Sequence, residues 1–431
     1  MTHVATSLIH HSYLPPADFV APQPGVFKAS TVIFPNVAAM RQREWKDKSG
    51  YTYGLHGTPT TFLLEERLCA LEGGLQCLLA PSGLSAIAIV ALSLLKTGDE
   101  VLLPDNAYGP NKTLCDGELR NWGITTRLYD AMDPADLAAK ISDRTRLVWL
   151  EAAGSVTLEF PDLSALVRTC RARGVTSALD NTWGAGLAFN AFDLAPATKE
   201  TLGVDISVHA LTKYPSGGGD VLMGSIITRD AGLHLRLKLG HMRLGIGVGA
   251  NDVELVLRSL PSIALRYRAH DATTRQLALW CQSRPEFAQV LHPALPDSPG
   301  HAHWAALCQP AGNANANAAA ASPGERMDGG AAGTARGEPR EGGAAGLFSV
   351  LVDARYSQAQ VDAFCDALRL FKLGYSWGGP MSLVVPYELA TMRPTWPAHL
   401  ARGTLVRFSV GLESAADLQA DLAQALPRLG A

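Results

Sequence analysis

The chain has 431 residues, 47% of them hydrophobic and 18% charged, with a formal net charge of −3. That length exceeds one ordinary hydrophobic core, so two or more domains are expected. The near-neutral balance gives no electrostatic reason to expect nucleic acid or an anionic membrane as partner, leaving small polar metabolites.

Residues 1–60 are rich in Pro, His, Tyr and Gly and lack helical periodicity, which reads as an extended N-terminal arm. Met1 to Pro16 has neither the basic start nor the apolar run of a signal peptide. The longest strongly apolar stretch, Leu84–Leu95, falls short of the ~20 residues that cross a bilayer, so a soluble, cytoplasmic protein is expected.

From residue 61 the pattern changes to helices alternating with short β-rich runs. Helices are predicted at Thr61–Glu72, Leu84–Lys96, Asn111–Trp122, Pro134–Ile141 and Asp162–Arg173. Strands are predicted at Glu100–Leu103, Thr125–Tyr129, Leu147–Leu150, Thr176–Leu179 and Ile206–Val208. This alternation implies βαβ units and a mostly parallel sheet in a domain over residues 61–255.

A long helical segment around Asp252–Arg268 leads into a smaller α/β domain over 256–431, with helices near 271–283 and 357–371 and strands near 347–352 and 404–410. Within it, residues 309–346 are nearly all Ala, Gly, Asn, Pro, Glu and Arg, too poor in large apolar side chains to offset their ordering entropy. They read as a disordered insertion, and deleting 312–344 is expected to leave activity largely intact. Seven single cysteines without a Cys-x-x-Cys fit reduced, buried thiols better than disulfides or a zinc knuckle. His301 and His303 have no third ligand within reach by spacing, which argues against a metal site.

Four segments carry chemistry. Val208-His209-Ala210-Leu211-Thr212-Lys213 runs into the glycine-rich 216–220, placing a lysine just past a buried strand. Burial there would lower its pKa and make the amine nucleophilic toward aldehydes, although a solvated lysine ending a strand fits the segment equally. Asp180 closes a predicted strand at the edge where open α/β sheets hold ligands, as either an acid facing a ring nitrogen or a helix cap. Ser82-Gly83-Leu84 opens an apolar helix, so it serves as an anion cradle or an ordinary cap. Tyr108, in a turn after another strand, could stack on a flat ring while its phenol helps handle protons in catalysis, or simply pack.

Taken together, these segments resemble the Cys/Met-metabolism family of fold-type I pyridoxal 5′-phosphate (PLP) enzymes, and most closely its cystathionine β-lyase branch. The resemblance rests on Tyr53-Gly54-Leu55-His56-Gly57-Thr58-Pro59-Thr60, Leu71-Glu72-Gly73-Gly74, Asp180-Asn181-Thr182-Trp183 and Leu211-Thr212-Lys213-Tyr214. Further along, it rests on His292-Pro293-Ala294-Leu295-Pro296 with Gly300-His301, Tyr375-Ser376-Trp377-Gly378-Gly379 and Leu405-Val406-Arg407-Phe408.

The resemblance implies that Lys213 binds PLP covalently and later shuttles the substrate's Cα proton. Asp180 would pair the pyridinium and Tyr108 would stack on the ring. Ser82, Gly83, Leu84 and Thr212 would hold the phosphate, joined by Tyr53 from a neighbouring subunit. Arg407 would clamp the substrate carboxylate, with Tyr375, Ser376 and Trp377 lining the substrate pocket.

The implied reaction is cleavage of the sulfur amino acid L-cystathionine to homocysteine, pyruvate and ammonia, in methionine biosynthesis, by a homotetramer built as a dimer of dimers. A γ-lyase, a cysteine desulfhydrase, an alliinase-like activity and a catalytically inactive PLP-fold binding module are the alternatives. Two departures stand out. The family's arginine two residues after the motif tyrosine is Leu55 here, and the Glu-Ser-Pro-Gly/Asn stretch reads Glu151-Ala152-Ala153-Gly154-Ser155.

Overall fold

The computed structural model describes residues 21–196, 198, 200–309 and 343–430. The first 20 residues of the expected arm and positions 310–342 of the expected insertion lie outside the described residues. The described part of the arm is largely exposed and carries a short helix, α1 (Val37–Arg41), and a 3-10 turn at Gly54–His56. A single bridge between Thr31 and Tyr53 ties it back on itself.

The first sheet has seven strands: β1 (Gln76–Ala80), β2 (Glu100–Pro104), β3 (Thr125–Tyr129), β4 (Thr145–Glu151), β5 (Thr176–Asp180), β6 (Ile206–Ala210) and β7 (Gly224–Thr228). Their spatial order is β1-β7-β6-β5-β4-β2-β3. β7 runs antiparallel to both its neighbours, and the remaining pairings are parallel. Helices cover both faces, which is why the central strands are apolar on both sides. Leu147 and Trp149 of β4 enter one buried cluster with Val101 and Leu103, whereas Val148 and Leu150 enter the opposite one with Leu102 and Leu179.

The helices between these strands begin as their sequences dictate. α2 (Pro59–Glu72) has proline at its first position and a Thr58–Thr61 capping box. α3 (Gly83–Leu94) is capped by Ser82, whose Oγ accepts the Ser85 N–H. α4 (Gly109–Leu114) continues into a π-turn over Cys115–Leu119, so the helix predicted over 111–122 is interrupted. α5 (Pro134–Lys140) and α6 (Leu163–Ala172) are capped by Asp133 and Asp162.

Beyond α7 (Ala231–Leu244) and α8 (Ala250–Ser259), the 20-residue α9 (Ile263–Gln282) carries the chain to a second sheet. That sheet contains β8 (Phe287–Leu291), β9 (Leu347–Asp353), β10 (Lys372–Leu373), β11 (Leu383–Tyr387) and β12 (Gly403–Ser409), ordered β10-β11-β12-β9-β8. It is antiparallel except for the β10–β11 pair. α10 (His301–Cys308), α11 (Gln358–Ala367), α12 (Leu389–Met392) and α13 (Ala415–Ala425) complete this part. Phe348, Val350, Phe408 and Val406 face a core shared with Leu277 of α9 and Phe364 of α11.

β1, β7, β8, β11 and the two-residue β10 are not among the predicted strands; pairing with neighbouring strands, rather than local preference, makes these segments strands. The low-complexity segment also ends earlier than its composition indicates. Ala344 and Ala345 are fully buried, Trp304 Nε1 donates to the Gly343 carbonyl (3.1 Å), and the Gly346 N–H donates to the Tyr214 hydroxyl (2.7 Å). The expected insertion boundary at 346 is therefore corrected to lie before residue 343, and a deletion of 312–344 also takes away Gly343 and the core residue Ala344. Tyr214→Phe should destabilise the protein by about 1–3 kcal/mol, because it leaves the Gly346 donor buried without a partner. Denaturant unfolding of the variant against wild type measures it, and a change within error would show the bond to be dispensable.

Candidate active site

The carboxyl ends of β2, β4, β5 and β6 open on one side of the first sheet, where a parallel sheet leaves a crevice. A cavity with about 870 Å³ of empty space, its open mouth included, lies there. Ser82, Gly83, Leu84, Tyr108, Asp180, Thr212, Lys213 and Trp377 all line it, so the folded chain brings most of the sequence-predicted residues to one wall system.

Lys213 sits in the turn after β6, where its Nζ donates to Ser376 Oγ (2.9 Å) and lies 5.3 Å from the Trp377 ring centroid. Gly378 makes this approach possible. Its φ is +76°, and a Cβ there would come within 3.1 Å of the Tyr214 nitrogen and 3.2 Å of Lys213 Cβ. Burial and then the Arg407 charge lower the Lys213 pKa to about 8, opposed by Asp180. An amine at that value is partly neutral near physiological pH, as a nucleophile toward a carbonyl must be.

Asp180 ends β5. One carboxylate oxygen accepts from the Thr182 N–H (3.1 Å) and from the Thr182 hydroxyl. The other accepts no hydrogen bond among the described residues. Burial raises the Asp180 pKa, with the Thr182 bonds pulling it down. Beneath it, fully buried Glu72 accepts from His209 Nδ1 (2.8 Å), Ser207 Oγ (2.6 Å) and Asn181 Nδ2 (3.3 Å). The Leu71-Glu72-Gly73-Gly74 motif therefore braces β5 and β6 from below.

At the opposite wall, Gly83 opens α3 against the end of β6. A Cβ at Gly83 would stand 2.6 Å from Ala210 Cβ, so only glycine lets the helix N-terminus come this close. Gly83 and Leu84 are the first two residues of the helix, whose opening N–H groups have no partner within the helix. Thr212 Oγ1 donates to the Met223 carbonyl (3.3 Å) and accepts the Met223 N–H (3.2 Å).

Tyr108, 39% exposed, caps α4 and donates its backbone N–H to Glu151 Oε2 (2.8 Å). In the sequence, Glu151 is marked only by its place in the divergent 151–155 stretch. Burial, reinforced by the neighbouring Asp180, pushes its pKa well above the usual carboxylate range. Its position at the carboxyl end of β4, in register with Asp180, was the available signal.

Arg407 lies on β12 and is 4% exposed. Its guanidinium donates to the carbonyls of Ser155 (3.3 Å) and Tyr375 (3.2 Å) and rests over the Tyr387 ring, and it has no carboxylate partner among the described residues. A buried cation satisfied only by carbonyls is incomplete without an anion. Tyr375 itself is 80% exposed, its carbonyl engaged by Arg407 and its ring edge-on to Tyr387 with centroids 6.3 Å apart.

Tyr53 is not brought to the cavity: it sits in the arm, 46% exposed, its ring 6.0 Å from that of His56. Leu55 and His56 instead wall a separate small pocket with Lys238 and His241. His301 heads α10, its Nδ1 2.9 Å from the Pro293 carbonyl.

The groups that PLP requires are present on this side of the sheet: a desolvated amine, a carboxylate oxygen left open near it, and a helix opening that tolerates no side chain. The residues fit that cofactor. In cofactor-free protein, the rate at which Lys213 is acylated should rise with a midpoint near pH 8 rather than near the ordinary lysine value, because the neutral amine prevails above its pKa. Arg407→Met should move that midpoint upward by removing a repelling charge. Mass-spectrometric labelling against pH measures both, and a midpoint above about 10 would contradict the burial argument.

Residues 5–314 and 337–427 match the family described as Cys/Met metabolism PLP-dependent enzyme. The chain is 36% identical to cystathionine β-lyase of Bordetella avium, over 99% of this chain and 98% of that one. It is 32% identical to cystathionine β-lyase of Salmonella typhimurium, over 93% and 92%. A crystal structure of cystathionine γ-synthase from Xanthomonas oryzae in complex with cystathionine superposes with a TM-score of 0.77 at 27% identity, covering 96% of this chain and 95% of that one. With the family match over most of its length, and with a desolvated lysine, an open acid and a glycine-opened helix lining one cavity, this chain belongs to the Cys/Met-metabolism family of fold-type I PLP-dependent enzymes.

Proposed function

We propose that the protein is a carbon–sulfur lyase that cleaves the Cβ–S bond of L-cystathionine, releasing homocysteine, pyruvate and ammonia. The observation that carries this reading is the wall around the Lys213 amine. Ser376 Oγ and the Trp377 ring enclose it on one side, and buried, carboxylate-free Arg407 lies beyond them. The two cystathionine β-lyases of Bordetella avium and Salmonella typhimurium, matched over more than nine-tenths of the chain, support the same choice.

PLP bound here supplies an electron sink for the charge left when an amino acid loses its Cα proton. Lys213 is the residue to bind the cofactor and to carry that proton, since its amine is the desolvated base within the cavity. The free oxygen of Asp180 is available to keep the ring nitrogen protonated. Tyr108, at the cavity's edge, is placed to cover the ring face. The Gly83 and Leu84 N–H groups and Thr212 would take the phosphate, with Ser82 shaping that end through its cap of α3.

Arg407 would orient the substrate through its carboxylate, for which a guanidinium fork is well shaped. Tyr375, Ser376 and Trp377 would form a narrow, largely apolar lining that suits one thioether chain. The likeness to the Xanthomonas oryzae γ-synthase favours a γ-type reaction as the second reading.

Four experiments test these assignments. Incubation with cystathionine should yield pyruvate and homocysteine, whereas 2-oxobutyrate with cysteine would establish the γ-reading instead. Borohydride reduction should tag Lys213, and Lys213→Ala should lower turnover by at least ~10³-fold. Arg407→Met should raise KM by roughly 100-fold, on the order of 3 kcal/mol, with a smaller effect on kcat.

The assembly we propose is a homo-oligomer in which Tyr53 completes a neighbour's phosphate site. Exposed Phe27, Ile33, Val37 and Tyr53 along the arm support it. Mixing Tyr53→Phe and Lys213→Ala subunits should restore activity through hybrid sites. Hybrids no more active than the parents would sink shared sites.

A further inference from the structure

A second buried polar cluster lies just outside the cavity and joins two segments of its wall. Arg393 follows α12 and is 7% exposed. Its Nη1 donates to both oxygens of Glu159 (2.8 and 2.7 Å), and its Nη2 donates to Asp105 Oδ2. Glu159 is fully buried and also accepts from Asn106 Nδ2 (2.8 Å) and Thr157 Oγ1 (2.7 Å), with His399 Nε2 beside it. Lys112 Nζ adds a bond to the Met392 carbonyl (3.1 Å).

The partners of Arg393 lie next to cavity residues. Asp105 and Asn106 open the turn that ends in Tyr108, and the Asn106 carbonyl accepts the Ser155 N–H (3.2 Å). The Glu159 carbonyl accepts the Gly154 N–H (2.9 Å). Ser155 in turn offers its carbonyl to Arg407. One guanidinium from the second sheet's side therefore ties together the Tyr108 turn and the loop against which Arg407 is held. Burial opposes ionisation of Glu159, yet the His399, Arg393 and Asn106 contacts hold its pKa down to about 2, so the clamp stays charged across the working range.

We propose that Arg393 is a positioning residue for the carboxylate end of the active site, setting the Tyr108 turn and the Ser155 loop relative to Arg407. This rests on the reading of Arg407 as the substrate's carboxylate ligand. A planar fork reaching two carboxylates on separate loops fixes their separation, which a single ammonium cannot do. Small misplacements of groups that orient a substrate carry large kinetic effects.

The holoenzyme, with cystathionine as the probe, tests this in Arg393→Met and Arg393→Lys. Three quantities are followed: steady-state constants, the thermal midpoint, and amide hydrogen exchange of peptides covering 104–112 and 152–158. For Arg393→Met we expect KM to rise about tenfold with kcat changed less than about threefold, together with faster exchange in both peptides. Arg393→Lys should fall between that variant and wild type.

A lowered thermal midpoint with KM and exchange unchanged would reduce Arg393 to a purely structural role and overturn the proposal. If Arg393→Met does not fold, because buried Glu159 loses its guanidinium, Arg393→Lys decides on the same readouts. Wild-type KM and exchange in that variant would then overturn the proposal. Arg407→Met run in parallel separates the two ideas. A KM insensitive to it overturns both the carboxylate reading and the clamp, whereas a large Arg407 effect beside a silent Arg393 overturns the clamp alone.

Discussion

Removing the Lys213 amine from water is the constraint on which the rest of this structure depends. A lysine in solvent is protonated and inert toward carbonyls, and here burial does most of the work of lowering its affinity for the proton. The surroundings follow from that demand. Gly378 adopts a left-handed conformation so that Trp377 can cover the amine, Ser376 Oγ accepts a hydrogen bond from it, and Arg407 discourages its charge. Asp180 acts in the opposite sense, and its own burial limits how far it can restore the ammonium.

A desolvated charge cluster needs a rigid frame, and two buried networks form one. Glu72 binds His209, Ser207 and Asn181 below β5 and β6, so the strand ends carrying Asp180 and leading to Lys213 cannot shift independently. Arg393, Glu159 and Asp105 bind the loops at the other wall. Neither network is strong evidence of net stability, because burying its ions costs roughly what their attraction returns. Their effect is directional: each leaves its loops one arrangement in which every carboxylate has donors.

The second sheet contributes more than a scaffold. β12 carries Arg407, the segment before β11 carries Tyr375, Ser376 and Trp377, and the segment after α12 carries Arg393. Groups suited to substrate thus come from one sheet and groups suited to the cofactor from the other, and they meet at the cavity between. This division matches a family in which the cofactor is shared while the reaction differs, as with the β-lyases and the γ-synthase that the chain resembles.

Much of this was readable from local chemistry. Strands of the first sheet with long apolar runs, such as Leu147–Leu150, and helices with clear caps, such as that opened by Ser82, declare themselves within a dozen residues. Lys213, Asp180 and Arg407 stood out because each combined an unusual residue with a motif. Five-residue strands such as β7 and β11 did not, since pairing partners rather than local preference make them strands.

The burial of Ala344–Gly346 was equally hidden, because its cause is Tyr214, more than a hundred residues away. Glu151 and Arg393 look like ordinary charged residues in the sequence, and only long-range contacts give them a setting. The amino-acid order by itself thus determined the fold class and singled out the candidate amine at Lys213, both of which rest on short-range pattern. Tertiary structure alone decided which carboxylates stay unpaired, which cation lacks a counter-ion and which loops are tied together, because desolvation and charge pairing depend on residues distant in the chain.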